Sequence, residues 1–115
     1  MFAGVLLSTD IWVGALIRRA EAGGAFAAVI RKGDTRAGAV LVKVLNRPAG
    51  TARLYAEATR MDGERIWMQP APSDQEAELD AYIERAVRVD PDVWVVEIDD
   101  RQGRHFLTEP VDKRP

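Results

Sequence analysis

Residues 39–69 decide the fold of this chain, and they read AVLVKVLNRPAGTARLYAEATRMDGERIWMQ. Three runs rich in β-branched and aromatic residues, Ala39–Leu45, Ala52–Ala58 and Arg65–Gln69, are separated by two short glycine-containing breaks. Such runs are typical of strands, and Asp62-Gly63 in the second break is a strong hairpin signal. Because the breaks are too short to hold crossovers, we expect the three strands to pair antiparallel.

Two further strands are predicted outside this stretch. Residues 26–30 form an apolar run that is followed by the turn-forming sequence Arg31–Asp34. We therefore place this strand at the start of a four-stranded antiparallel meander. Residues 93–96 are continuously apolar, which suits a strand covered on both faces, either central or inserted beside an earlier strand.

Two amphipathic helices complete the pattern. The first is predicted to begin at the polar N-cap candidates of residues 8–10 and to end at Gly23-Gly24, since glycine adopts a left-handed C-cap at little cost. The second is predicted to begin at a capping box formed by Ser73 and Glu76 and to stop before Pro91. Their apolar stripes recur at helical spacing and comprise Trp12, Val13, Leu16, Ile17 and Ala20 in the first helix and Leu79, Tyr82, Ile83, Ala86 and Val87 in the second.

Together these elements predict an α+β fold. Two helices pack on a mainly antiparallel sheet of about five strands, in the order helix, four strands, helix, strand. The chain has 115 residues, of which 47% are hydrophobic and 30% are charged, the usual balance of one globular domain. We therefore expect a single domain over residues 1–115, with residues 109–115 as a polar tail.

Cysteine is absent from the sequence, which excludes a disulfide framework, a thiolate metal site and a cysteine nucleophile. Its absence fits a reducing compartment, and we expect a cytoplasmic protein. The apolar residues 1–8 lack the basic n-region of a signal peptide, and no run approaches the roughly 20 apolar residues of a membrane span. The sequence therefore predicts no membrane association, and no motif in it indicates a bound metal or cofactor.

The net charge is −2, but the two halves of the chain differ in sign. Residues 1–60 contain nine Lys/Arg and four Asp/Glu, a net charge of +5, whereas residues 61–115 contain seven and fourteen, a net charge of −7. Halves of opposite sign complement each other within one fold or across a dimer, or they leave one basic face for an anionic partner. The overall charge disfavours nucleic acid as that partner.

Strand alternation predicts one candidate binding face. If the aliphatic residues of the third and fourth strands face the core, Arg53, Tyr55 and Trp67 point to the opposite side of the sheet. Exposed aromatic and arginine side chains are favoured at protein interfaces, and they also stack nucleic-acid bases. The same pattern fits a second outcome, in which the first helix or the C-terminal segment covers this face and Trp67 belongs to the core.

Two polar residues are candidates for another site. Arg19 lies on the apolar side of the first helix within reach of Trp12, and a partly buried arginine needs a bound anion or a carboxylate such as Glu97 or Asp99. His105 is the only histidine, and Asp99 or Asp100 could orient it as a general base. The same carboxylates equally fit ion pairs with the nearby Arg101 and Arg104 at the end of a strand.

Eight stretches carry a resemblance to one family, and they are Ile11-Trp12, Arg18-Arg19, Gly24–Phe26, Arg31–Asp34, Ala37-Gly38, Val42-Lys43, Asp90–Val96 and Asp99–Phe106. In these stretches the chain resembles a family of short alphaproteobacterial proteins known as domain of unknown function 1491. The resemblance implies a cytosolic bacterial protein. It implies no activity and therefore assigns no functional residues.

We interpret the chain as a non-enzymatic binding or interaction module whose partner is another protein or a second copy of itself. Arg53, Tyr55 and Trp67 would supply the contact face, and Trp12 with Arg19 a secondary pocket. One alternative is a small enzyme or metal site around His105 and its neighbouring carboxylates. The other alternative is a nucleic-acid-binding domain, whose basic residues would be Arg31, Lys32, Arg36, Lys43, Arg47 and Arg53.

Overall fold

The computed structural model describes residues 8–112. Its elements are α1 (Thr9–Ala22), β1 (Phe26–Arg31), β2 (Val40–Asn46), β3 (Thr51–Thr59), β4 (Arg65–Met68), α2 (Glu76–Val89) and β5 (Trp94–Asp99). This order confirms the predicted α+β architecture of two helices and five strands. Neither helix is long and apolar enough to cross a membrane within the part of the chain that the structure describes.

The five strands form one sheet in the order β1-β5-β2-β3-β4. β2, β3 and β4 pair antiparallel through the two predicted turns. β5 pairs parallel with β2 and antiparallel with β1, which confirms its predicted insertion beside an earlier strand. The predicted four-stranded meander is wrong in its first strand pair, because β5 lies between β1 and β2.

The loop between β1 and β2 makes this insertion possible by crossing the start of β5. A Cβ atom built on Gly33 would lie 2.1 Å from the backbone oxygen of Asp92, and one built on Gly38 would lie 2.3 Å from the same atom. The backbone N–H of Asp34 donates to that oxygen at 2.9 Å, and the Trp94 indole donates to the Asp34 carbonyl at 2.7 Å. Two glycines are therefore needed where the backbones approach so closely.

A separate apolar cluster covers each face of the sheet. α1 and residues 106–111 pack on one face, and α2 packs on the other. Strand β2 is buried on both faces, and β5 is buried except at Glu97 and Asp99 on its α2 side, as expected for strands with a parallel neighbour. The α1-side cluster contains Trp12, Val13, Leu16, Ala20, Val40, Val42, Val44, Tyr55, Trp67, Trp94, Val96, Ile98 and Leu107, and the α2-side cluster contains Leu41, Leu45, Ala52, Leu54, Leu79 and Val93.

The helix starts agree only partly with their predicted caps. Ser8 is the N-cap of α1, within the predicted range. The predicted capping box of α2 is wrong, because the helix begins at Glu76 and Gln75 is its N-cap. Ser73 lies in the preceding loop, where its hydroxyl accepts from the Gln75 N–H at 3.0 Å and donates to Glu78.

The C-terminal segment is ordered where a polar tail is predicted. The backbone N–H of Trp67 donates to the Pro110 carbonyl at 2.9 Å, and the Asp112 N–H donates to the Trp67 carbonyl at 2.7 Å. Val111 thereby forms a parallel bridge with Trp67. Residues 109–112 thus pair with the outer side of β4, and residues 113–115 of the predicted tail lie outside the described residues.

Candidate functional site

One edge of the sheet is open and apolar. Among residues 8–112, β1 pairs on one side only, with β5. Its side chains are exposed to 82% at Phe26 and 58% at Ile30, and Ala28 and Val29 are exposed as well. An exposed edge strand with large apolar side chains is prone to aggregation unless another segment pairs with it, because its free backbone N–H and C=O groups can bind another strand.

A shallow depression of about 240 Å³ lies beside this edge, lined by Phe26, Ala27, Ala28, Glu97 and Asp99. It is on the α2 side of the sheet, where α2 packs mainly over β2 and β3. Apolar side chains of β1 therefore stand next to carboxylates of β5, and both remain accessible from solvent.

The carboxylates beside β1 are held in place by two basic side chains. Lys43 is only 7% exposed. Its ammonium contacts three carboxylates, at 2.9 Å from Glu76, 2.7 Å from Asp80 and 3.3 Å from Glu97. Burial alone would lower the pKa of Lys43, but the hydrogen bonds to these carboxylates raise it above its ordinary value. This lysine is therefore always charged and occupies the position that a cation would otherwise take.

Arg47 plays the corresponding role for Asp99, because its guanidinium hydrogen-bonds that carboxylate. The interaction also raises the pKa of Arg47. Glu97 and Asp99, the two candidate catalytic or ligand groups, are thus anchored by ion pairs, but with Lys43 and Arg47 rather than with the predicted Arg101 and Arg104.

His105 does not join these carboxylates. Its ring contacts Tyr55 edge-on at 5.1 Å between ring centroids, and Tyr55 lies in the α1-side cluster. Its Nδ1 accepts the backbone N–H of Leu107 at 2.9 Å, and burial lowers the pKa of the imidazole. Glu97 and Asp99 point to the α2 side, so the sheet separates them from the histidine and the predicted enzyme or metal cluster does not assemble.

The predicted binding face is closed. The strand phase is right, because Tyr55 and Trp67 lie on the opposite side of the sheet from Leu54. Their predicted exposure is wrong, because Trp67 is 0% exposed and Tyr55 is buried. Only Arg53 of the predicted contact residues is exposed. The physical reason is the second outcome noted above, in which α1 and the C-terminal segment cover this face.

The covering contacts are specific. The rings of Trp12 and Trp67 stack with centroids 5.3 Å apart. Both indole N–H groups donate to Glu109, at 3.2 Å from Trp12 and 3.0 Å from Trp67. The guanidinium of Arg65 lies over the Trp12 ring, 5.7 Å from its centroid, and pairs with Glu57 at 2.8 Å. The space between these residues is about 10 Å³, which leaves no room for a ligand.

Arg19 takes a partner that the sequence did not indicate. Its Nε donates to the backbone carbonyl of Phe106 at 3.1 Å. The predicted ion pair with Glu97 or Asp99 is wrong, because those carboxylates lie across the sheet. One terminal nitrogen of Arg19 is buried without a hydrogen-bond partner. Trp12 is engaged by other residues, so the two do not form the predicted secondary pocket.

The basic residues proposed for nucleic acid are largely engaged within the protein. Lys43 is buried among carboxylates, Arg47 pairs with Asp99, and Arg31 donates to the carbonyls of residues 91 and 93 at 2.8 and 3.0 Å. Lys32, Arg36 and Arg53 remain exposed. The six residues therefore do not act as one free basic surface.

The open β1 edge escaped prediction from the sequence. Residues 26–30 contain no charged side chain, a composition that fits an interior strand equally well. Only the insertion of β5 shows that β1 lies at the edge. The available signal was the apolar run 93–96. A strand that is buried on both faces is typical of a position inside the sheet, between two other strands.

Comparison with known proteins places the chain in a family. A family model described as "Protein of unknown function (DUF1491)" matches residues 7–108. The chain belongs to this family. A crystal structure of a DUF1491 protein from Caulobacter crescentus is 75% identical, covers 93% of this chain and 100% of its own, and superposes with a TM-score of 0.91.

Two solution structures agree with this fold. An NMR structure of a DUF1491 protein from Caulobacter crescentus is 73% identical over 95% of this chain and 99% of its own, with a TM-score of 0.89. Protein Atu0922 from A. tumefaciens is 35% identical over 96% of this chain and 98% of its own, with a TM-score of 0.79. No protein of curated function matches the chain. The comparisons thus show an alphaproteobacterial family without an assigned function, as the resemblance implied.

Proposed function

We propose that this DUF1491 protein is a non-enzymatic interaction module that binds an extended protein segment along the free edge of β1. The observation that carries the proposal is the open, apolar edge strand, with Phe26 and Ile30 exposed to 82% and 58%. Main-chain hydrogen bonds to such an edge supply affinity, and side-chain contacts on alternate residues supply specificity.

The contrast between the two edges of the sheet supports this proposal. The outer side of β4 is closed by residues 109–112 of the same chain. The outer side of β1 has no such cover among residues 8–112, and β1 contains no proline and only one charged residue, Arg31 at its end. Natural edge strands usually carry such residues to block pairing. At β1 the charged Arg31 is turned to the carbonyls of residues 91 and 93, so the apolar stretch 26–30 is left open to pairing.

The chemistry beside the edge indicates what the segment carries. Glu97 and Asp99 flank Phe26 and Ala28 at the depression. The ion pairs of these carboxylates with Lys43 and Arg47 fix their positions before any partner arrives, which reduces the entropy lost on binding. A partner segment with apolar residues and an adjacent basic side chain fits this surface.

Photo-crosslinking in an alphaproteobacterial cell tests the proposal. Phe26 is replaced by the photoreactive analogue benzoylphenylalanine, and the matched control carries the same analogue at Met61, which is fully exposed in the turn between β3 and β4. We expect discrete protein adducts from position 26 and none of the same mass from position 61. Identical adduct patterns at the two positions, or no adduct from position 26, would show that β1 is not a binding edge.

A further inference from the structure

We infer that the segment seated on β1 is the β1 strand of a second copy of this chain, paired antiparallel about a two-fold axis at Ala28. This inference rests on the proposed function and names its partner. It joins two five-stranded sheets into one continuous sheet, with the two α1 helices on the same face.

The sequence of β1 is complementary to itself in this register. With Ala28 opposite Ala28 of the second copy, Ala27 falls opposite Val29 and Phe26 opposite Ile30. Directly opposed residues in antiparallel strands lie on the same face and are close neighbours, and an aromatic beside a β-branched side chain is a favourable pair. Every opposed pair in this stretch is apolar, and no like charges meet.

The fold also restricts the register. β1 is regular from 26 to 29, and its pairing with β5 shifts between Val29 and Arg31. A two-fold axis at Ala28 keeps the Ala28–Ala28 and Ala27–Val29 pairs within this regular part and places Ile30, opposite Phe26 of the other copy, at the shift. A register offset by one residue would place α2-side residues of one copy opposite α1-side residues of the other, which a two-fold axis perpendicular to the sheet does not allow.

Charge complementarity favours the antiparallel direction. Asp99 pairs with Phe26 across β1 and β5, and Glu97 pairs with Ala28, so carboxylates flank the beginning of β1. The exposed Lys32 follows its end. Antiparallel pairing carries Lys32 of each copy toward Asp99 of the other, whereas parallel pairing would place like charges at the same level.

Single-cysteine variants test this arrangement directly, because the chain contains no cysteine. Opposed residues of antiparallel strands have Cα atoms about 4.5–5.5 Å apart, within the span of a disulfide bond. Under mild oxidation we expect Ala28→Cys to form a disulfide-linked dimer roughly tenfold or more faster than the exposed control Met61→Cys, since pairing raises the local thiol concentration. Equal rates for the two variants would overturn the inference.

A second measurement uses the residue on the axis. Sedimentation velocity up to millimolar concentration is expected to show a reversible dimer for the unaltered protein. Ala28→Lys brings two ammonium groups together and is expected to be monomeric at the same concentrations, with unchanged thermal unfolding since Ala28 is exposed. An unaltered protein that stays monomeric overturns the dimer. Photo-adducts from position 26 to a different protein would then preserve the interaction module, and their absence would remove both proposals.

Discussion

At the residue scale, Asp100 shows how one side chain fixes the end of a strand. Its carboxylate is only 2% exposed. It accepts the backbone N–H groups of Gln102 and Arg104 at 3.1 and 2.8 Å, and the Arg104 guanidinium at 3.0 and 2.9 Å. The bonds from Arg104 outweigh burial and lower the pKa of Asp100 from 3.8 to about 2. This turn therefore depends on a charged carboxylate.

The pH dependence of unfolding follows from that pKa. The folded protein holds the Asp100 proton more weakly than the unfolded chain does. The charged carboxylate therefore contributes fully to the free energy of unfolding above pH 3.8, and this contribution is lost as the pH falls toward about 2. We expect Asp100→Asn to lose about 2 kcal/mol of unfolding free energy at neutral pH. Its stability should also fall less steeply than that of the unaltered protein over this acidic range.

Urea titrations from neutral pH to the acidic range measure both effects. Asp62→Asn is the matched control, because Asp62 lies in an exposed turn and accepts one backbone N–H, from Glu64. If the Asp100 variant were as stable as this control, or lost stability in acid as steeply as the unaltered protein, the carboxylate would not have the role assigned to it.

At the scale of elements, local signals predicted the strands and helices but not all of their neighbours. The turns beside β3 are short, so the pairing of β2, β3 and β4 followed from the sequence. The position of β5 depended on a contact between residues distant in the chain, and only the apolar run 93–96 indicated it. The burial of Tyr55 and Trp67 was harder to predict, because it depends on a contact between Trp67 and Glu109, which lies 42 residues further along the chain.

The C-terminal segment is held to the rest of the fold by that glutamate. Both of its oxygens accept indole N–H groups, one from Trp12 and one from Trp67. An amide accepts through its oxygen alone, so Glu109→Gln leaves one buried indole N–H without an acceptor. We expect this change to lower the unfolding free energy by about 2 kcal/mol, measured by urea titration with tryptophan fluorescence.

Glu84→Gln is the matched control for Glu109, since Glu84 is exposed on α2 and pairs only with Arg88, at 3.3 Å. An exposed pair of this kind contributes about 0–1 kcal/mol. Equal stability of the two variants would mean that Glu109 does not hold the segment against the tryptophans.

At the scale of the whole molecule, the opposite charges of the two halves of the chain meet across the α2 side of the sheet. Lys43 and Arg47 come from the positive half, and their carboxylate partners all come from the negative half. The charge asymmetry of the sequence is therefore satisfied in part within one chain, one of the outcomes that the sequence left open. What remains at the surface is the acidic side of the depression next to β1.

Lys43 tests this arrangement because its charge is shared by three carboxylates. Lys43→Met keeps the apolar stem but leaves Glu76, Asp80 and Glu97 facing one another. Since these partners are partly exposed, we expect a loss of about 2 kcal/mol at neutral pH rather than the larger cost of a fully buried pair. The exposed Lys32→Met is the matched control and should change stability little.

The pH dependence of the stability of Lys43→Met distinguishes a loss of charge pairing from a loss of packing. Without the lysine, the three carboxylates repel one another in the folded state, and protonation of any one of them relieves that repulsion. The folded variant then binds protons more tightly, so its deficit relative to the unaltered protein should shrink as the pH falls from neutral toward the carboxylate pKa values. Added salt should shrink the deficit in the same way, because it screens the repulsion. A deficit that stays constant with pH and salt would mean that Lys43 contributes through its apolar stem alone, and that the opposite charges of the two halves do not stabilise the fold at this site.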